Sequence, residues 1–317
     1  MKVAFIGLGR MGGAMVGRLL GAGMDVTVFD PNEAAVAAVV AKGARGAKDV
    51  EDLCRQQDAV ISMLPSDEAL HEVAPALSRA LPPKAVHMVS GTHGVGAVEA
   101  AAALHARAGQ VLVSCTVLGR PDAAAQGELG LIVAGPAAAA ERMRPALNVL
   151  GSAIFDAGED PLSGVTAKIA NNFVLGCAIE AMGEGVALVR RYGLDPKLFL
   201  QILTSGLFDC VAYRGYGDLI ANQDWSRLGA TATIGLKDAE LAMYHSKRIG
   251  GDRIEVFKAA MRARKWDRLT REAELRRAIE REEIKLHYQP IVRLEDRTIA
   301  GFEALARWEH PKLGRMS

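Results

Sequence analysis

The chain has almost no net charge. Its 38 Lys and Arg face 37 Asp and Glu, which leaves a formal +1 over 317 residues. No global field draws such a chain to nucleic acid or to anionic lipid, so neither is an expected partner. Cysteine is scarce too. Cys54, Cys115, Cys177 and Cys210 are far apart and make no metal-ligand spacing, so no metal site is expected. Apolar neighbours flank at least two of them, which predicts buried free thiols in a reducing compartment and a cytoplasmic protein. No leader is expected: the apolar run Val3–Leu8 is short and no basic region precedes it. No stretch is expected to reach the length that spans a bilayer. What is present is an ordinary soluble composition, 50% hydrophobic and 24% charged, in a chain long enough for two domains with substantial cores.

The first 30 residues carry the most information. An apolar run, Lys2–Ile6, leads into Gly7-Leu8-Gly9-Arg10-Met11-Gly12, then a helical pattern, then Val26-Thr27-Val28-Phe29-Asp30. Strand, glycine turn, helix, strand and acid each have a job in holding a dinucleotide. Gly7 turns the chain out of the strand, Gly9 lets the backbone approach a pyrophosphate, and Gly12 lets helix and strand pack closely. The helix start offers unpaired N–H groups to the phosphates. Asp30 lies about 20 residues on, where a carboxylate accepts from a ribose 2′-OH. A carboxylate there repels a 2′-phosphate, and Pro31-Asn32 supplies no arginine to welcome one. The cofactor expected is NAD rather than NADP.

From Met1 to about Phe155 strands and helices alternate. The predicted strands are Lys2–Ile6, Asp25–Asp30, Ala59–Leu64, Ala85–Val89, Gln110–Val113, Leu129–Ala134 and Ala153–Phe155, with helical patterns such as Glu33–Ala41 and Ala97–Ala108 between them. This predicts an α/β fold with a doubly wound parallel sheet. Pro65, Pro82–Pro83 and Pro121 punctuate loops. From Ser163 to about Tyr192 one long helix is predicted, followed by shorter ones near Pro196–Thr204 and Tyr213–Ala221 and a helix start at Gly235–Ile249. Beyond Gly250 the texture changes again. Thr270–Glu283 reads as an amphipathic helix, and Ile284–Leu294 with Thr298–Trp308 as a hairpin.

Lys168 and Asn172 are four residues apart near the start of the long helix, so they share a face. Gly164, one turn earlier, lets a substrate or a neighbouring domain come close. Hydride transfer at an alcohol carbon needs a proton to leave or join the oxygen, and a partly desolvated lysine serves that purpose. The plainer reading of the pair is a solvated lysine and a capping-type asparagine, and from these two residues alone it is the better one.

Six ordered motifs change that balance: Gly7-Leu8-Gly9-x-Met11-Gly12, Met63-Leu64-Pro65, Ser90-x-Thr92, Val117-x-Gly119, Gly164-x-x-x-Lys168-x-x-x-Asn172 and Leu236-Lys237-Asp238. Together, over about residues 1–242, they resemble the β-hydroxyacid dehydrogenase family, whose type member is 3-hydroxyisobutyrate dehydrogenase. The resemblance implies NAD(P)-dependent oxidation of a small β-hydroxy acid, a Rossmann domain (1–162), a helical substrate and dimerisation domain (163–250, incomplete), and homodimers or higher oligomers. In that scheme Lys168 is the general acid/base and Asn172 orients it or the substrate. Thr92 lines the nicotinamide and substrate site, Leu64 and Pro65 flank the cofactor, and Lys237 reaches cofactor or substrate. Two loops depart from the pattern. Leu118-Gly119-Arg120 replaces the usual Ser-Gly-Gly substrate loop, and Gly91-Thr92-His93 stands where Ser-Thr is usual. Arg120 either pairs with a substrate carboxylate or caps a strand end at the surface. His93 is either a second acid/base or an incidental loop residue. Reduction of an aldehyde, ketone or imine stays open, as does an NAD-binding fusion that turns nothing over.

The last part resembles something else. Residues from Asp238 through Gly250-Gly251-Asp252 to Phe257 look like the end of a GGDEF domain. Leu286-His-Tyr-Gln-Pro-Ile-Val292 and Phe302-Glu303-Ala304-Leu305-Ala-Arg-Trp308 look like the start of an EAL domain. The resemblance implies that Glu303 is a metal ligand. Metal-assisted phosphodiester hydrolysis needs several carboxylates, and no other ligand of such a site follows by Ser317, so that activity is not expected. A lone hairpin is marginal in water, so Ile284–Trp308, within the tail 251–317, is expected to be mobile, to dock on an apolar surface, or to pair between subunits.

Overall fold

Short apolar runs separated by amphipathic stretches cover their faces only by layering, with helices above and below one sheet. The computed structural model describes residues 2–57, 59–224, 284–292, 299–310 and 314–316. The first 156 residues supply β1 (Lys2–Ile6), α1 (Arg10–Gly21), β2 (Asp25–Phe29), α2 (Glu33–Val40), β3 (Arg45–Gly46), α3 (Val50–Cys54), β4 (Ala59–Ser62) and α4 (Asp67–Ala80). β5 (Val86–Val89), α5 (Val95–Arg107), β6 (Val111–Leu118), α6 (Pro121–Gln126), β7 (Leu129–Ala134), α7 (Ala137–Leu150) and β8 (Gly151–Asp156) follow. The strand order is β3-β2-β1-β4-β5-β6-β7-β8. The order reverses between β1 and β4, and a crevice at such a reversal is where open α/β sheets bind ligands.

The sheet is not wholly parallel. β7 pairs antiparallel with β6, and β8 runs parallel to β7, so both oppose the first six strands. A parallel return needs a crossover of about a dozen residues or more, usually a full helix. The link from Leu118 to Leu129 holds only the short α6, which suits an antiparallel return. Pro121 does not sit in a loop as predicted but opens α6, where its missing N–H costs nothing. β6 runs to Leu118, five residues past its predicted end, and the two-residue β3 was not predicted.

Two apolar layers sandwich the sheet. Phe5, Met15, Leu19, Val28, Leu131 and Leu147 lie in one. Ile6, Leu70, Leu77, Val98, Leu112 and Ile169 lie in the other. Ile169 belongs to α8 (Pro161–Arg191), which leads to α9 (Pro196–Thr204) and α10 (Val211–Asn222). Asp160 caps α8 by accepting from the Leu162 N–H, and Pro161 sets its first turn. By length and composition alone α8 could cross a bilayer, which corrects the expectation that no stretch reaches that length. It is rich in Ala and Gly, and a stripe with Val165, Ile169, Met182 and Val186 is buried while most of the rest faces outward. Cys54 and Cys115 are buried as expected, and burial pushes both thiols up to about 12. Cys177, on α8, and Cys210, at the N-cap of α10, are exposed.

The core also holds a polar chain across three layers. Gln110 Nε2 donates to the Ser78 and Leu81 carbonyls, so its Oε1 must accept from His105 Nδ1, 2.7 Å away. His105 Nε2 then accepts from His87 Nδ1 at 2.8 Å, and His87 Nε2 accepts from the Ser62 hydroxyl at 2.9 Å. The chain is satisfied with both imidazoles neutral. Burial holds His87 well below the usual histidine range, with the nearby His105 and His93 adding to it, and burial lowers His105 as well.

Residues 254–317 form a separate unit. Its described part is a three-stranded antiparallel sheet of β9 (Ile284–Val292), β10 (Ile299–His310) and β11 (Gly314–Met316), in the order β11-β10-β9. The predicted hairpin is there, with Ile284 opposite Trp308, and β11 extends it by a third strand. Gly235–Ile249 and Thr270–Glu283, both predicted helical, lie outside the described residues.

Candidate active site

The glycine turn shows why each glycine is there. Gly7 has φ +93°, and a Cβ on it would strike the Met63 carbonyl. A Cβ on Gly12 would overlap the Gly7 carbonyl. Both residues are required by the protein's own packing. Gly9 is different: its φ of −58° suits any residue, and nothing stands within 4 Å of a Cβ built there. It is exposed and opens α1 without a side-chain cap. The first-turn amides of Arg10, Met11 and Gly12 are those a helix start leaves without backbone partners. Open space in front of uncapped amides fits a phosphate group.

Asp30 borders this cradle. Its Oδ2 accepts from the Leu8 N–H at 2.6 Å and its Oδ1 from the Asn32 N–H at 2.8 Å. The carboxylate therefore holds the glycine turn in shape, and its remaining lone pairs can still accept from a hydroxyl. Leu8 itself points into the core. The half-buried Met11 and the exposed Arg10 complete the turn.

The loops after β4 and β5 form the next wall. Leu64 is buried and Pro65 exposed; Thr92 is half-buried, and His93 is sealed inside. The Ser90 N–H bonds the Ser62 carbonyl, and the Met63 N–H bonds the Ile6 carbonyl, so the ends of β1, β4 and β5 are tied side by side. After β6, Gly119 adopts φ +139° and a Cβ there would press on Leu129, while the exposed Arg120 caps α6.

Helix α8 is fixed to the sheet by two hydroxyls. Ser114 Oγ donates to the Pro161 carbonyl at 2.7 Å, and Thr116 Oγ1 to the Gly164 carbonyl at 3.1 Å. A Cβ on Gly164 would come within 2.5 Å of Ser114 Oγ, so glycine lets the helix sit directly on β6. Lys168 and Asn172 follow at one-turn intervals, half-buried beside the Val165 and Ile169 stripe. The sequence reading missed Ser114 and Thr116. Their signal was two hydroxyl residues at i, i+2 in an apolar strand, which point to one face. Lys237 lies outside the described residues. Glu303 lies on β10 opposite Gln289.

Comparison with known proteins agrees with this geometry. Residues 2–158 match the model for the NAD-binding domain of 6-phosphogluconate dehydrogenase, and residues 163–272 the NAD-binding model of NADP-dependent 3-hydroxyisobutyrate dehydrogenase. The Bacillus subtilis protein named uncharacterized oxidoreductase YfjR is 37% identical over 80% of this chain and 89% of its own length. The chain belongs to the 3-hydroxyisobutyrate dehydrogenase-like β-hydroxyacid dehydrogenase family. Within that family, the NAD-dependent L-serine dehydrogenase of Pseudomonas aeruginosa is 34% identical over 76% of this chain and 84% of its own. The solved Mycobacterium tuberculosis 3-hydroxyisobutyrate dehydrogenase with L-serine superposes with a TM-score of 0.74 at 28% identity, covering 80% of this chain and 88% of that one. The dehydrogenase-type match reaches residue 272, so the GGDEF-like residues 238–257 fall inside it. Residues 272–317 match the EAL domain model.

Proposed function

We propose that this β-hydroxyacid dehydrogenase oxidises a small β-hydroxy acid with NAD, using Lys168 as general acid/base. The observation that carries the reading is the anchored start of α8. Two hydroxyls and a glycine fix the helix on β6, so Lys168 and Asn172 sit on one defined face at half-burial. The nicotinamide, when bound, takes or returns the hydride. Everything else falls to the chain. Gly9 and the first-turn amides of α1 receive the pyrophosphate, with Leu64 and Pro65 along the dinucleotide and Asp30 at the adenosine ribose. Lys168 Nζ takes the proton from the substrate hydroxyl as the carbon loses hydride, leaving a carbonyl; the reverse step returns it. Asn172 orients that oxygen and Thr92 lines the pocket; the family resemblance assigns Lys237 to cofactor or substrate. Gly119 leaves room for the substrate, and Arg120 pairs with its carboxylate.

Asp30 favours NAD, since its charge opposes a 2′-phosphate. Serine, a β-hydroxy acid, accompanies one relative in its solved structure and is the substrate another is named for, so it is among the first compounds to try. Exposed apolar side chains on α8 to α10, among them Val174, Tyr192 and Val211, support a homodimer or larger homo-oligomer. Four free thiols suit a reducing compartment such as the cytoplasm. The test is a panel of β-hydroxy acids, L-serine included, read as NADH or NADPH absorbance. One or more should turn over with kcat/KM for NAD at least about tenfold above that for NADP, a difference of one 1.4 kcal/mol step. No turnover of any member, or a preference for NADP, contradicts the reading.

A further inference from the structure

We propose that His93 is a positioning residue that locks the β4–α4 loop to the β5–α5 loop when the dinucleotide binds. The proposal rests on the cofactor reading above. Both loops leave neighbouring strands beside the glycine turn, and they carry Leu64, Pro65 and Thr92. His93 is fully buried between them. On one side its Nδ1 faces Asp67 Oδ1 at 3.4 Å. On the other, a Cβ built on Gly91 would collide with His93 Nε2 and lie 2.6 Å from the Leu64 carbonyl. Gly91 therefore makes room for the ring, and the two departures from the family pattern, at 91 and 93, are one feature.

At 3.4 Å the ring and carboxylate approach without a full hydrogen bond, and neither ring nitrogen has a hydrogen-bond partner. Buried polar groups are nearly always paired, so an imidazole kept this way calls for a reason. Asp67 Oδ1 already accepts from the Gly94 N–H at 2.9 Å, just ahead of α5. A shift of a few tenths of an ångström would let the same oxygen accept from Nδ1–H as well. One carboxylate oxygen at the head of α4 would then hold both His93 and Gly94. A dinucleotide held along Leu64 and Pro65 would bear on the β4–α4 loop, and a small inward move of that loop would close the gap. Thr92, adjacent to His93, is fixed as a result. The ring is sealed from the surface, so its role is positional and not proton transfer.

The test compares wild type, His93→Leu, Asp67→Asn and the double variant by NADH fluorescence titration, steady-state kinetics and melting. Each single variant should raise the NADH Kd about tenfold. The double variant should do no worse than the weaker single, because the pair acts as a unit. KM for the cofactor should rise far more than kcat falls, and His93→Asn, whose amide can donate towards Asp67, should recover most of the affinity. Melting of the unliganded protein should move by no more than about 4 °C. An unchanged Kd in both singles, or losses that simply add, would overturn the proposal. If His93→Leu fails to fold, Asp67→Asn decides alone, and an unchanged Kd there overturns it. Wild-type protein that binds no NADH would instead overturn the cofactor reading on which the proposal rests.

Discussion

Three glycines in one turn answer to different masters. Gly7 and Gly12 are demanded from within, by the Met63 carbonyl and by the Gly7 carbonyl. Gly9 is demanded by nothing among the described residues, and on the proposed reading the space in front of it takes the phosphate. Gly9→Ala should therefore fold normally, with a melting temperature equal to or slightly above wild type because the unfolded chain loses entropy. Its NADH affinity should fall more than about tenfold, since the methyl occupies phosphate space. Gly12→Ala should lose about 1–3 kcal/mol or more through overpacking against backbone. Paired melting and NADH titration of both variants separates the two effects. If Gly9→Ala binds NADH like wild type, the phosphate is not where the turn suggests. Asp30 holds the Leu8 amide, besides the ribose role proposed for it. The sequence pattern suggested the proposed role of that carboxylate but not the structural one, because a backbone amide 22 residues away leaves no mark on composition.

At the scale of elements, periodicity carried well where packing is regular. β1, β7 and α9 occupy their predicted spans. The reversal of β7 and β8 was not legible, since an apolar run looks alike in either direction and only the length of the connection decides. The span of α8 was legible; its fixing to β6 was not, because it depends on which face Ser114 and Thr116 show. The Ser62–His87–His105–Gln110 chain was equally hidden, being assembled from β4, β5, α5 and the head of β6. It has a pH consequence. Both imidazoles are held below their usual range in the folded protein, by burial first. The unfolded chain binds protons near pH 6.5 while the folded one resists them, so the stabilisation is full above about 6.5 and is lost as pH falls below it. Two such groups give a slope of up to about 2.7 kcal/mol per pH unit. Thermal melts should be level from about pH 8 to 7 and decline below about 6, and His105→Gln should flatten that decline. A wild-type profile level down to about pH 5 would contradict the neutral chain.

At the scale of the whole molecule the proposed cofactor cradle and the amine proposed to handle the proton come from different parts. Residues 1–156 supply the sheet whose crevice opens at β1 and β4, and α8 brings Lys168 from outside it. The two matched family models meet between residues 158 and 163, where Asp160 and Pro161 start α8, so the anchoring by Ser114 and Thr116 is what joins one part to the other. On the proposed reading, proton transfer needs Lys168 and phosphate binding needs the glycine turn. Lys168→Ala, measured with whichever β-hydroxy acid turns over, separates them most directly. The account predicts a loss of about 10²- to 10⁴-fold in kcat, the usual worth of a general acid/base, with the NADH Kd unchanged within about twofold. Full turnover by that variant would contradict it, and so would a loss that is restored by more NAD.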